Sequence, residues 1–168
     1  MEKRLEKITH PFAPVFGSDS RFLILGSLPS AKSRENEFYY GHPQNRFWRM
    51  LAKIFAEEIP ATIQEKTEFL LRNKIAIWDV IHSCEICGSS DASIKNAVPN
   101  EIEKILGASK IKKIILNGGA AFSLYKKFWG ETLEEKYGAK AIRLPSTSPA
   151  NAACSLERLV EIWRKEFD

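Results

Sequence analysis

Cysteine is scarce in this sequence. The 168 residues hold three, Cys84, Cys87 and Cys154, too few and odd in number for a disulfide framework, so reduced thiols in a reducing compartment are expected. No apolar run approaches the length needed to span a bilayer. The opening stretch, MEKRLEKITHPF, is charged throughout and lacks the apolar core of a signal peptide. These absences predict a soluble, cytoplasmic chain. Phosphate-binding loops are missing too. Without G-x-x-x-x-G-K-[ST] or G-x-G-x-x-G, triphosphates and dinucleotides lose their usual cradle.

Other catalytic signatures are also lacking. There is no G-x-S-x-G elbow, and although His82 follows Asp79 by three residues, spacing alone assembles no Ser-His-Asp triad. The zinc-deaminase pattern fails because Cys84 stands where its Glu belongs and no Pro precedes the C-x-x-C. Cys84 and Cys87 with His82 offer three metal ligands, but a fourth is not evident and strong zinc signals pair two such knuckles. The expectation is two small, half-buried residues in a loop, with no metal and no other cofactor.

What is present argues for one globular domain spanning 1–168. At 44% apolar and 27% charged residues, the chain has enough interior for a sheet covered on both faces. The runs at 21–26 (RFLILG), 75–80, 111–118 (IKKIILNG) and 139–145 (AKAIRLP) are short, apolar and bounded by Gly, Pro or polar residues, as buried parallel strands are. Helical patterns lie between them. Phe47, Trp48, Leu51, Ile54 and Phe55 share one face, TIQE at 62–65 resembles a capping box, and PNEIEKIL, GGAAFSLYKKFW and SLERLVEIWRKEF follow. This alternation predicts an α/β fold: a three-layer α/β/α sandwich around a four-stranded parallel sheet.

Ligands in open α/β sheets bind beyond the carboxyl ends of the strands, so the segments there are the candidates. They read GSLPSAKSRENEFYYGHPQN, DVIHSCEICGSSDAS, NGGA and PSTSPAN. The first is about 20 residues without obvious structure of its own, a length that in a compact domain points to function. Its adjacent tyrosines, Tyr39 and Tyr40, beside Lys32, Arg34, Arg46 and Arg49, suit stacking on a planar base with charges placed for a phosphodiester. The net charge of +4 tilts mildly towards an anionic partner. A second basic cluster, Lys110, Lys112 and Lys113, precedes a strand and reads as a solvated face. In PSTSPAN, Pro145, Ser146, Thr147, Ser148 and Asn151 offer hydroxyls and backbone N–H groups for a phosphate, or simply a capped helix entry. Gly118 and Gly119 permit either a close ligand or a tight turn. Asn45 could be no more than an N-cap.

In order and spacing, LILGSLPS, YYGHPQNRFW, IAIWDV, IILNGG and LPSTSPAN resemble the uracil-DNA glycosylase superfamily over roughly residues 20–165. HPQNRFW is similar to the mismatch-specific uracil glycosylases. In place of their Gly-Ile-Asn-Pro-Gly motif, however, this chain has Gly26-Ser27-Leu28-Pro29-Ser30, with Leu28 where they carry a catalytic Asn. GSLPS, HPQNRFW and LPSTSPAN together resemble the hypoxanthine-DNA (deoxyinosine) glycosylase branch. The resemblance implies a monofunctional, metal-free enzyme that flips a deaminated base out of DNA. It carries the catalytic amide to Asn45, with Asn36 as rival, and base stacking to Tyr40. The backbone of Gly26, Ser27 and Leu28 would line the base edge, Asp79 would read hypoxanthine N1–H, and Arg46 with the 145–151 loop would hold phosphates. Uracil excision and a non-catalytic nucleic-acid-binding module are the alternatives, and a monomer is expected.

Overall fold

The computed structural model describes residues 5–87 and 91–168. Part of two segments read above, the first four residues and residues 88–90, lies outside these. The central sheet contains β2 (Phe22–Gly26), β3 (Ile75–Asp79), β6 (Lys113–Asn117) and β7 (Lys140–Leu144), all parallel, in the order β3-β2-β6-β7. Every residue of β2 is buried, as befits a strand covered on both faces. Its alternation divides the core. Phe22 and Ile24 join Phe47, Leu51, Phe69 and Trp163 on one side, and Leu23 and Leu25 join Ile105, Ala121, Tyr125 and Leu133 on the other.

The first face is covered by α2 (Phe47–Phe55), α3 (Ile63–Arg72) and α7 (Leu156–Arg164). The second is covered by α4 (Ile102–Gly107), α5 (Gly119–Trp129) and α6 (Thr132–Tyr137). The three-layer sandwich is therefore as the sequence pattern implies. TIQE does open α3: Thr62 Oγ1 accepts from Glu65 N, and Glu65 Oε2 accepts from Ala61 N.

Two features depart from the sequence reading. A second sheet, β1 (Glu6–Thr9), β4 (Ile81–Ile86) and β5 (Lys95–Pro99), pairs antiparallel in the order β1-β4-β5. Cys84 thus lies on a strand instead of a loop, buried with Ile8, Ile81 and Ile86, while Cys87 follows the strand end. These strands escape notice because only a few alternate residues are apolar: β1 buries Ile8 alone. The long first loop also has structure, beginning with α1 (Ala31–Glu35), capped by Ser30.

Register delivers the site. Gly26 is paired with Asp79 at the ends of β2 and β3, and Asn117 with Leu144 at the ends of β6 and β7. The connection from β2 to β3 covers one face with α2 and α3, and the return from β3 to β6, on the other side of β2, covers the opposite face with α4, which opens a crevice beyond the carboxyl end of β2.

Candidate active site

A cavity occupies that crevice. Its lining includes Gly26, Leu28, Tyr40, Asn45, Asp79 and Thr147, together with Ser27, Ser146 and Ser148. Most of the residues singled out from sequence thus converge. Asn36, Arg46, Pro145 and Asn151 do not line it.

Asn45 stands at the entrance to α2. Its Oδ1 accepts from Phe47 N at 3.0 Å and from the Thr147 hydroxyl at 2.8 Å. Thr147, fully buried, accepts in turn from Asn117 Nδ2 at 3.1 Å, and its backbone N donates to Asn117 Oδ1. This chain of donors fixes the amide's orientation: the carbonyl oxygen is occupied by two donors, and Nδ2 is the group left for a ligand. The N-cap position of α2 is Arg46 and not Asn45; Asn45, one residue earlier, still accepts from Phe47 N, and that bond and the cavity use opposite ends of one amide. Asn36 is different. It is exposed and donates to the Gly41 carbonyl at 2.8 Å, bending the loop back on α1.

The two tyrosines part company. Tyr39 is a core residue whose hydroxyl donates to Ala13 O at 2.9 Å, with its ring edge-on to Phe12. Tyr40, at φ +54° in the left-handed region, stacks on Phe47 with centroids 4.0 Å apart. Its hydroxyl is buried without a hydrogen-bond partner among the described residues. Burial, with the Asp79 charge adding, pushes its pKa far above the ordinary tyrosine value; the nearby Asn117 amide opposes the shift without making a bond of normal geometry.

Gly26 explains this crowding. A Cβ there would lie 2.6 Å from Asp79 Oδ1 and 3.0 Å from the Tyr40 hydroxyl, so only glycine leaves room for both polar atoms over the backbone. Asp79 is 3% exposed. Its Oδ2 lies 2.8 Å from His10 Nε2, its Oδ1 has no hydrogen bond among the described residues, and Asn100 Nδ2 pins the backbone by donating to Asp79 O and Ile81 O.

Several expectations change. Arg46 is turned inwards, where its guanidinium donates to the carbonyls of Ser148, Asn151 and Cys154 and ties the 145–154 segment to α2. It is committed to protein carbonyls, not exposed for phosphate. Thr147 is likewise inside, and Asn151 Nδ2 donates to Ser146 O within its own loop. PSTSPAN is no helix entry, because α7 begins at Leu156 with Ser155 as its cap. Leu28 lines the cavity while packing on the Ile8, Ile81 and Cys84 cluster. Gly118, at φ +98° with Ser146 Cβ 3.0 Å from where its own would be, makes the tight turn into α5.

Sequence reasoning missed His10, Asn117 and the cavity-lining role of Arg34. Asn117 was readable as the last residue of a predicted strand, but His10 had no signal, since a lone His-Pro in a charged N-terminal segment points nowhere. Among the described residues, no group of three or more His, Cys, Asp or Glu is arranged to hold a metal, and no helix is long and apolar enough to cross a membrane.

Comparison with known proteins agrees with this architecture. A Methanosarcina barkeri (strain Fusaro) protein named hypoxanthine DNA glycosylase is 34% identical over 157 residues, covering 93% of this chain and 96% of the relative. One of the same name from Methanosarcina acetivorans is 32% identical over 162 residues, covering 95% and 98%. The solution NMR structure of a Methanosarcina acetivorans protein, described as a candidate uracil DNA glycosylase, superposes with a TM-score of 0.79 at 32% identity, covering 95% of this chain and 96% of that one. The family model for the uracil DNA glycosylase superfamily matches residues 13–165, and the chain belongs to that superfamily.

Proposed function

We propose that this protein is a DNA glycosylase that excises hypoxanthine from deoxyinosine sites, working as a monomer inside the cell. The observation that carries the reading is the buried Tyr40 hydroxyl, without a hydrogen-bond partner among the described residues, beside Asp79 Oδ1, both lying within 3.0 Å of where a Cβ of Gly26 would stand. A buried hydroxyl left unsatisfied costs about 1–3 kcal/mol, which a ligand supplying the bond would recover. A flipped base is such a ligand. Hypoxanthine has an N1–H for the carboxylate and ring acceptors for the hydroxyl, and the names of both Methanosarcina relatives support the assignment.

In this reading the C1′–N9 bond breaks with its electron pair going to the base. The sugar passes through an oxocarbenium-like state, water adds at C1′ and gives up a proton, and the base takes one up on leaving. So electrophilic a carbon asks little of a general base, and the greater need is to stabilise charge on the departing ring. Asn45 Nδ2, a donor held rigid by Thr147 and Phe47 N, suits that task, while its carbonyl oxygen is already taken by those two donors. Leu28, aliphatic, can supply neither function.

The test is direct. Duplexes carrying one inosine or one uracil are incubated with the protein and then with alkali to cut abasic sites. Cleavage at inosine well above that at uracil is expected. No cleavage at either base would leave a nucleic-acid-binding module as the reading, and preferential cleavage at uracil would reassign the substrate.

A further inference from the structure

His10 is absent from every motif read in the sequence, yet its side chain and that of Asp79 are 2% and 4% exposed. The fold places it deliberately against the carboxylate. β1 pairs with β4, which starts two residues beyond Asp79, and His10 N donates to His82 O just past that pairing.

The two ring nitrogens have different neighbours, and these constrain the protons. Nδ1 lies 2.8 Å from the Phe12 carbonyl oxygen, which can only accept, so Nδ1 carries a hydrogen. Nε2 lies 2.8 Å from Asp79 Oδ2, and a bare nitrogen lone pair facing a bare carboxylate oxygen would be repulsive, so one further proton lies between them. On nitrogen it makes an imidazolium–carboxylate pair; on oxygen it makes a neutral pair. In both arrangements the proton is on the Oδ2 side, and Oδ1, over Gly26, carries none. The titratable groups facing Asp79 are His10, Tyr39 and Tyr40, and both tyrosines keep their protons because burial raises their pKa values.

We propose that His10 is a positioning residue for base selection: by engaging Oδ2 it fixes Asp79 as an acceptor-only reader at Oδ1, which takes the N1–H of a 6-oxopurine and turns away adenine, whose N1 is a lone pair. This rests on the cavity being the base pocket of the proposed glycosylase. Selection matters because adenine outnumbers its deaminated form in any DNA. Without the histidine, nothing holds the shared proton on the Oδ2 side, and a proton placed on Oδ1 would donate to adenine N1, which removes the discrimination.

Two polar substitutions separate positioning from packing. His10→Gln keeps a donor that reaches Asp79. His10→Asn, one methylene shorter, keeps a donor for the Phe12 carbonyl and loses that reach. Single-turnover excision is measured on duplexes with hypoxanthine or adenine opposite thymine, alongside melting curves. His10→Gln is expected to hold the hypoxanthine-over-adenine ratio within about threefold of the unsubstituted protein, and His10→Asn to lower it by about tenfold or more. A purely structural role would scale both rates together, so an unchanged ratio in His10→Asn, or an equal loss in His10→Gln, overturns the proposal. Should either variant fail to fold, NMR of the 15N-histidine-labelled protein decides: a protonated Nδ1 with Nε2 in a strong hydrogen bond supports it, and a bare Nδ1 sinks it. An unsubstituted protein that leaves hypoxanthine uncut fails at the earlier step, the glycosylase reading itself.

Discussion

The Thr147 hydroxyl donates to Asn45 Oδ1 at 2.8 Å across 102 positions of sequence, and Asn117 donates to the same hydroxyl. Thr147→Val keeps the shape but removes the hydroxyl between the two amides, leaving Asn117 Nδ2 without that acceptor and Asn45 Oδ1 with Phe47 N alone. It should destabilise the fold by about 1–3 kcal/mol and, by releasing the Asn45 amide, slow single-turnover excision well beyond what the loss of folded protein explains. Thr147→Ser, which keeps the hydroxyl, should stay close to the unsubstituted rate.

The rival amides separate cleanly. Removing one preorganised donor from a reacting site typically costs about 10²–10³ in rate, so Asn45→Ala should lose that much excision of hypoxanthine under single-turnover conditions. Asn45→Asp, which replaces the free donor by an acceptor, should do no better. Asn36→Ala removes only the bond to Gly41 O and should change the rate by no more than about threefold. The opposite ranking would relocate the catalytic amide.

Tyr40→Phe should move stability and activity in opposite directions. It deletes a buried hydroxyl with no partner among the described residues, so the melting temperature should hold or rise, while excision of hypoxanthine falls. A parallel fall in both would show that the hydroxyl belongs to the fold and not to the base.

Alkali offers a further check on the same residue. The folded pKa values of Tyr39 and Tyr40 are raised above the ordinary tyrosine value, and that of Tyr125 to about 12, chiefly by burial. The unfolded chain releases these protons near the ordinary tyrosine value of 10.0 while the folded chain retains them, so their contribution to stability is intact below that pH and is lost as pH rises beyond it. Denaturant midpoints measured from pH 8 upwards should be level and then fall, and the fall should be shallower in Tyr40→Phe.

Arg34 and Arg46 predict different salt behaviour. Arg34 lines the cavity, and Arg34→Ala should lower the slope of log affinity for DNA against log salt by about 0.9, the share of one phosphate contact. Arg46→Ala breaks the bonds to Ser148, Asn151 and Cys154, so it should lower the melting temperature and leave the slope unchanged.

Much of this protein was determined by its sequence alone. The runs RFLILG and IKKIILNG could become nothing but covered strands, because their side chains are apolar on both faces, and the alternation with helices dictated parallel order and a site at the strand ends. Gly26, Tyr40, Asn45 and Asp79 fall at or next to those strand ends, the family resemblance singled them out there, and the fold brings the four to one cavity. Only the tertiary structure decided what each group does. Asn45 has a free nitrogen instead of a free oxygen because Thr147, remote in sequence, donates to the latter. Arg46 faces inwards because the 145–154 segment folds over it with unsatisfied carbonyls. His10 reaches Asp79 because β1, with one buried residue to announce it, pairs with a strand more than seventy positions away. Local pattern records which face a side chain takes. Which partner it meets there depends on chain closure over long separations, and no local pattern encodes that.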